Sequence, residues 1–186
     1  LLVPVSNMKF SHSSPRTTLN RPHCPYAKSR VTYSMIVFTY PGQGSQRSGM
    51  GTPWQDHPSW ELVGEASEVA QLDIARLLTA ANTTELRDTR NAQLATFLLS
   101  MLVLDAVERL GVDAAGHAGH SLGEYSALAA SGALDFNDAV ALVGERGAAM
   151  NAAIDESPGT MAAVLGLEDE QVETACNEVG DGAWVA

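Results

Sequence analysis

Apolar residues change from strand-like to helix-like spacing several times along the chain, beginning at residue 36. A short β-like run at residues 36–40 leads into a Gly-rich turn, and helical spacing follows over residues 59–70 and 74–78. Residues 92–110 are apolar nearly all round in their first half, which predicts a long helix buried in the core. Gly111 stands just past the end of that helix, the position where a helix commonly terminates in glycine.

The second half of the chain continues the alternation. It predicts a weak strand over 112–118, a helix directly after Ser121, a helix over 135–154, a strand over 161–165, a helix over 169–179 and the start of a strand at 184–186. Strands alternating with helices are typical of an α/β fold with a largely parallel sheet. Because the last strand is only begun, we expect the chain to stop before its domain is complete.

The first 34 residues have a different character. They are rich in Ser, Thr, Pro and cations, and they show no amphipathic period. We interpret residues 1–34 as an unstructured N-terminal extension and Met35 as the biological start. A targeting peptide is the alternative, since transit peptides are also Ser- and Arg-rich and poor in acids.

Charge and cysteine content exclude several functions. Residues 35–186 hold six arginines, no lysine and 22 acidic residues, a net charge of −16 that would repel nucleic acid. Cys24 and Cys176 lie in no metal-binding spacing, so we expect free thiols and no metal. The longest uncharged apolar run, 94–104, is shorter than the roughly 20 residues that span a bilayer, so no membrane association is expected.

The first candidate for chemistry is the sequence GHSLG at residues 119–123, between a predicted strand and a predicted helix. GxSxG in this context is the nucleophile-elbow pattern, in which Ser121 occupies a sharp turn flanked by small residues. The helix beginning beside it would offer backbone N–H groups to a developing oxyanion. Taken alone, the pattern fits equally well an ordinary turn with Ser121 as a helix N-cap.

Further motifs accompany GxSxG and together indicate a family resemblance. The sequence PGQGSQ occupies residues 41–46, RNAQ occupies 90–93, GHSLGE occupies 119–124 and ERG occupies 145–147. In this order and spacing they resemble the N-terminal portion of the malonyl-CoA:acyl-carrier-protein transacylase family. The resemblance runs from about residue 36 to the end of the chain.

The resemblance implies both a fold and a function. The fold is an α/β-hydrolase-like core with a parallel sheet over residues 35–157, followed by the beginning of a small ferredoxin-like subdomain over 158–186, both incomplete. The function is transfer of a malonyl group from coenzyme A to the phosphopantetheine thiol of acyl carrier protein in fatty acid biosynthesis. It further implies malonyl-CoA as substrate with no cofactor, acyl carrier protein as partner, a cytoplasmic location and a monomer when complete.

Roles for individual residues follow from the resemblance. Ser121 would carry the malonyl group as an ester, and Gln43 with the backbone N–H of Leu122 would form the oxyanion hole. Arg146 would pair with the free malonyl carboxylate, which its planar fork accepts through two hydrogen bonds. From the residues alone, Arg146 could equally be a solvated helix-surface arginine, and Gln43 a turn amide.

Gln93 and His120 complete the candidate site as substrate-binding residues. Gln93 is either a polar contact near the site or a buried amide at the helix start. Side chains of adjacent residues at an elbow point apart, so we interpret His120 as a structural hydrogen-bonding group and not as the base for Ser121. His57 and His117 are interpreted as ordinary surface or loop residues.

A serine nucleophile needs a general base. The histidines are His12, His23, His57, His117 and His120, and none follows Ser121. By the resemblance, the catalytic histidine should lie beyond residue 186. We therefore expect a truncated chain that is nearly inactive and poorly stable on its own.

Three alternatives stay open from the sequence. A polyketide synthase-type acyltransferase shares the same motifs. An α/β-hydrolase esterase or thioesterase shares GxSxG but has no need of the turn at 41–46 or of Arg146. A non-catalytic interaction fragment would bind carrier protein without labelling of Ser121, although an acidic surface disfavours an acidic partner.

Overall fold

A computed structural model of the chain describes residues 36–162 and 164–185. The predicted extension at 1–34, with Cys24 and the proposed start at Met35, lies outside these residues. The elements are, in chain order, β1 (Val37–Tyr40), α1 (Glu61–Ala70), α2 (Ile74–Thr79), α3 (Thr89–Arg109), β2 (Gly116–Gly119), α4 (Leu122–Ser131), α5 (Phe136–Glu156) and α6 (Asp169–Val179). Short 3-10 turns lie at Thr52–Trp54, Pro58–Trp60 and Glu85–Arg87.

The two strands are parallel neighbours. Val37 pairs with Gly116 and Tyr40 with Gly119, so both strands end at the same edge of the sheet. Helix α4 packs against both strands, and α3 and α5 form the most extensive helix pair. The prediction of an α/β fold with a parallel sheet is confirmed, and the carboxyl ends of the strands meet where Ser121 follows β2.

Helix α3 is the centre of the core, as its sequence predicts. Leu94, Phe97, Leu98 and Leu102 are all fully buried. The helix begins three residues earlier than predicted, because the Asp88 carboxylate accepts a hydrogen bond from the backbone of Asn91 and caps the first turn. At its other end Gly111 has a φ of +79°, the left-handed conformation expected of a terminating glycine.

Helix α3 is also long and apolar enough to cross a membrane by length and composition, with a hydropathy of 1.2 over its most apolar window. Half of that window is buried within the protein. The core helix of a soluble protein passes the same test, so this feature is weak evidence for a membrane span.

Beyond α5 one sequence prediction agrees with the structure and two do not. Helix α6 has the bounds predicted for it, and a capping box between Glu168 and Gln171 closes its first turn. The strands predicted at 161–165 and 184–186 are wrong for the residues described there, since Met161 is 82% exposed and Leu165 is 89% exposed. A strand needs a hydrogen-bonded neighbour, and the described residues place none beside either segment.

Candidate active site

Ser121 lies between β2 and α4 in a strained backbone conformation. Its φ is +53° and its ψ is −102°, a region that non-glycine residues rarely adopt. Such a conformation costs about 1–3 kcal/mol and persists only where surrounding structure enforces it. Here the amides of Gly123 and Glu124 donate to the carbonyls of His120 and Ser121 at 2.9 and 3.1 Å, which closes the turn. The side chain of Ser121 is held out toward solvent.

The flanking glycines permit this turn because backbone lies directly against them. A Cβ added to Gly119 would lie 1.9 Å from the carbonyl oxygen of Gly123. A Cβ added to Gly123 would lie 2.2 Å from the carbonyl oxygen of Tyr40, at the end of β1. No side chain fits at either position, so the first turn of α4 rests directly on the backbone of the two strands.

Arg146 reaches Ser121 from α5. Its Nη2 donates to Ser121 Oγ at 2.9 Å, and its Nη1 donates to Gln93 Oε1 at 2.7 Å. The guanidinium carbon lies 5.7 Å from the ring centre of Tyr125, a cation–π contact from α4. These contacts hold the guanidinium directly beside the serine hydroxyl.

Gln93 connects Arg146 to the Gly-rich turn. Its side chain is fully buried, and its Nε2 donates to Gln43 Oε1 at 3.2 Å and to Met150 Sδ at 3.1 Å. Gln43 lies in the exposed turn after β1. The structure therefore joins Ser121, Arg146, Gln93 and Gln43 in one hydrogen-bonded chain, although they come from four separate parts of the sequence.

A close helix crossing sets the position of Arg146. A Cβ added to the next residue, Gly147, would lie 2.5 Å from the Cα of Arg90 on α3. One turn further on, Asn151 Nδ2 donates to the Asp88 carboxylate at 2.7 Å. The start of α3, just before Gln93, is therefore fastened to α5 at two points.

Leu122 and His120 flank the serine differently. Leu122 is the first residue of α4, so its backbone N–H belongs to the first turn, whose amides have no acceptor within the helix, while its side chain is fully buried. The imidazole of His120 is exposed and lies against Gly42, where an added Cβ would be 2.8 Å from its Nδ1. No hydrogen bond of that ring to another described residue is found.

Of the two histidines interpreted as ordinary surface or loop residues, His117 differs from that interpretation and His57 lies in a loop as expected. His117 lies within β2, where its Nδ1 is hydrogen-bonded to the Tyr40 hydroxyl at 2.9 Å and its ring stacks on that of Tyr40. Burial, with a smaller contribution from Glu108, raises the pKa of Tyr40 to about 12. His57 accepts a hydrogen bond from the backbone of Ser59 and caps a 3-10 turn.

Sequence reasoning missed Tyr125 and Met150, which contact Arg146 and Gln93. Each follows an identified residue by four positions: Tyr125 follows Ser121, and Met150 follows Arg146. On a helix, residues four apart share a face, so this spacing was available as a signal.

Two further features do not involve the six predicted site residues. A groove of about 440 Å³ between β1 and α3 is not lined by any of the six predicted site residues. Within residues 36–162 and 164–185, no group of three or more His, Cys, Asp or Glu side chains could hold a metal ion.

Comparisons with known proteins identify a family for the chain. The family model described as acyl transferase domain matches residues 37–183. The chain belongs to the acyl transferase domain family. Malonyl CoA-acyl carrier protein transacylase of Bacillus subtilis (strain 168) is 42% identical over 148 residues, which are 78% of this chain and 47% of that protein.

Solved structures resemble this acyl transferase domain at similar coverage. The crystal structure of MCAT from Mycobacterium tuberculosis has a TM-score of 0.71 and 39% identity, covering 78% of this chain and 49% of that one. A type II PKS acyl-carrier protein in complex with its malonyl-transacylase gives a TM-score of 0.70 and 34% identity, covering 80% and 49%. The acyl transferase domain therefore spans about half the length of the relatives it matches.

Proposed function

We propose that this chain is part of an enzyme that transfers a malonyl group from coenzyme A to the phosphopantetheine thiol of acyl carrier protein. The transfer passes through a malonyl ester of Ser121 and serves fatty acid biosynthesis. The proposal is supported by the malonyl-transacylase relatives and by a neighbour that binds an acyl-carrier protein. The observation that carries it is the 2.9 Å contact between Arg146 and Ser121.

That contact fits a malonyl group. The carboxylate and the reacting carbonyl of malonyl are separated by a single methylene, so a cation beside the nucleophile can hold one while the serine attacks the other. Two of the five N–H groups of Arg146 donate to Ser121 and Gln93, which leaves donors for an incoming carboxylate. A charged hydrogen bond of this kind contributes about 1.5–3 kcal/mol.

The reaction would proceed in two steps. Ser121 Oγ attacks the thioester carbonyl, the C–S bond breaks and the coenzyme A thiol leaves. The carrier thiol then attacks the ester, and Ser121 Oγ is released. In each step, Gln43 and the amide of Leu122 would stabilise the oxyanion. Among the described residues, only Arg146 is hydrogen-bonded to Ser121 Oγ. A guanidinium cannot accept the serine proton, so the base is another group.

The finer fold and setting belong to the same proposal. An α/β-hydrolase-like core would comprise residues 35–157, and α6 would belong to the beginning of a ferredoxin-like subdomain. A cytoplasmic, monomeric enzyme that uses malonyl-CoA without a cofactor fits the resemblance.

Replacement of Arg146 tests the proposed substrate. In the protein as its gene encodes it, Arg146→Ala should lower malonylation of Ser121 by about 10- to 100-fold, the equivalent of one charged hydrogen bond. Acetylation should fall much less, because acetyl has no carboxylate to bind. The measurement is the mass of the Ser121 peptide after reaction with malonyl-CoA or acetyl-CoA.

A matched arginine provides the control. Arg87 is exposed and makes no ion pair with another described residue, so Arg87→Ala should leave both acylation rates unchanged. Equal losses of malonyl and acetyl transfer in Arg146→Ala would refute the carboxylate role.

A further inference from the structure

The guanidinium of Arg146 is held along its edge by hydrogen bonds and on its face by an aromatic ring. Its Nη2 and Nη1 donate to Ser121 Oγ and Gln93 Oε1, and its central carbon lies over the ring of Tyr125, 5.7 Å from the ring centre. We propose that Tyr125 is a positioning residue that fixes the plane of the Arg146 guanidinium and thereby sets the preference for malonyl over acetyl. This inference rests on the proposed acyl transfer at Ser121.

The two kinds of contact constrain different motions of the guanidinium. Its N–H groups lie in its own plane, and a single hydrogen bond to one of them leaves the plane free to turn about that bond. An aromatic face attracts a cation and accepts a stacked guanidinium, so it opposes that turning. The ring of Tyr125 therefore supplies a constraint that the hydrogen bond to Gln93 does not supply.

Acylation would weaken the contact of Arg146 with Ser121. The Oγ that accepts from Nη2 at 2.9 Å would become an ester oxygen, which is a weaker acceptor than a hydroxyl. No carboxylate among the described residues makes an ion pair with Arg146. Of the contacts described for the guanidinium, the hydrogen bond to Gln93 and the face of Tyr125 would then be left to hold it for the substrate carboxylate.

The position of the ring follows from α4. Tyr125 is half-buried against the core, four residues after Ser121 and therefore one helical turn further along. Gly123 lies in the same turn and rests on backbone, since an added Cβ would be 2.2 Å from the carbonyl oxygen of Tyr40. Helix α4 thus sets both Ser121 and the ring beside Arg146. The carbonyl and the carboxylate of one malonyl group would be bound at a fixed separation.

Two substitutions of Tyr125 test whether the aromatic face carries this role. No hydrogen bond of the Tyr125 hydroxyl to another described residue is found, so Tyr125→Phe should keep the ratio of malonylation to acetylation within about 2-fold. Tyr125→Leu keeps an apolar side chain but removes the face, and it should lower the ratio by about 3- to 10-fold. Both rates are measured in the protein as its gene encodes it, from the mass of the Ser121 peptide after reaction with malonyl-CoA or acetyl-CoA.

Two further measurements separate the aromatic face from packing. Trifluorophenylalanine in place of Tyr125 keeps the shape of phenylalanine, but its fluorine atoms withdraw electron density from the ring face, so the ratio should fall below that of Tyr125→Phe. Unfolding midpoints are measured for each variant, and the fluorinated protein decides if Tyr125→Leu does not fold. In the Arg146→Ala background, Tyr125→Leu should change the ratio by less than about 2-fold, because the effect passes through Arg146.

The outcomes distinguish this inference from the proposed function. If the unsubstituted protein is not malonylated at Ser121, the proposed function fails and the role of Tyr125 fails with it. If malonylation is preferred and Arg146→Ala abolishes that preference, the proposed function stands and the Tyr125 variants decide. An unchanged ratio in Tyr125→Leu, an equal loss in Tyr125→Phe or no effect of fluorination would then overturn the inference alone.

Discussion

At the scale of single residues, backbone contacts hold Ser121 in place. Ser121 keeps its positive φ because Gly119 and Gly123 allow the first turn of α4 to rest on the strands. The GxSxG pattern predicted the need for small residues but not what they touch. The partner at Gly123 is the carbonyl of Tyr40, which lies far earlier in the chain, and no local pattern encodes it.

Gly123→Ala should therefore damage both fold and reactivity. The added methyl would meet the Tyr40 carbonyl at 2.2 Å and push α4 off β1, at a cost of about 1–3 kcal/mol, and acylation of Ser121 should fall with it. Gly64→Ala is the control, since Gly64 lies inside α1 with open space around it. That change should stabilise the protein by about 0.5–1 kcal/mol. Urea unfolding measures the free energy of unfolding of both variants. Equal effects of the two substitutions would contradict the close contact between Gly123 and the Tyr40 carbonyl.

Tyr40 makes a second residue-scale prediction, for alkaline pH. Its pKa is raised to about 12, chiefly by burial, against about 10 in an unfolded chain. Between these values the folded state holds the proton more tightly, so the free energy of unfolding should fall as pH rises from 10 toward 12. Below pH 10 this contribution is constant. Urea titrations across that range should show that the free energy of unfolding depends less steeply on pH in Tyr40→Phe. An unchanged pH dependence would show that another group causes the effect.

At the scale of elements, helices were more predictable than strands. The apolar period located α3 and α5, and the bounds of α6 agree with prediction. Residues 161–165 are as apolar as β1, yet only β1 has a partner strand in the described structure. A helix carries its hydrogen bonds within itself, whereas a strand depends on a neighbour that its own sequence does not specify.

The crossing of α3 and α5 was beyond what sequence patterns reveal. Arg146 and Gln93 were each singled out as candidates, but their contact depends on Gly147 allowing the two helices to approach at Arg90. The motif ERG includes this glycine. This glycine is needed because α3 and α5 approach each other closely in three dimensions, and the spacing of motifs does not reveal that approach.

Gly147→Ala should therefore push α3 and α5 apart and weaken the contact between Arg146 and Gln93. The added methyl would lie 2.5 Å from the Cα of Arg90, so we expect lower stability and a loss of preference for malonyl over acetyl. Gly144→Ala is a closely matched control, because its methyl would meet Arg90 at an ordinary 3.9 Å. Thermal unfolding and the ratio of the two acylation rates are measured for both. A control that loses selectivity equally would argue against the crossing.

At the scale of the whole molecule, the groove between β1 and α3 is an open and largely apolar surface feature. Its lining includes Val37, 55% exposed, and Val103, 39% exposed. Apolar surface beside an unpaired strand edge favours association with other apolar surfaces. That none of the six predicted site residues lines this groove was not foreseen from the sequence, because the lining depends on which face of α3 meets α5.

Val103→Lys should reduce that association. With a charge in the groove, the 186-residue chain should bind less of an apolar dye such as ANS and elute nearer its monomer volume in gel filtration. Leu142→Lys is the comparison, since Leu142 is 47% exposed on α5 and lies outside the groove. The same reduction from Leu142→Lys would show that general charge, and not the groove, controls association.

The contact of Gly119 and Gly123 with neighbouring backbone has a consequence for how such a protein can change over generations. Backbone atoms are the same in every residue, so the distance between the strands and Ser121 does not depend on the size of any side chain. Substitutions among the apolar residues of α3 or α5 can repack the core without changing the position of Ser121 relative to the sheet. The position of Ser121 is thus insulated from such substitutions in the core, whereas the position of Arg146, which reaches Ser121 through side chains and a helix crossing, depends on how the core packs.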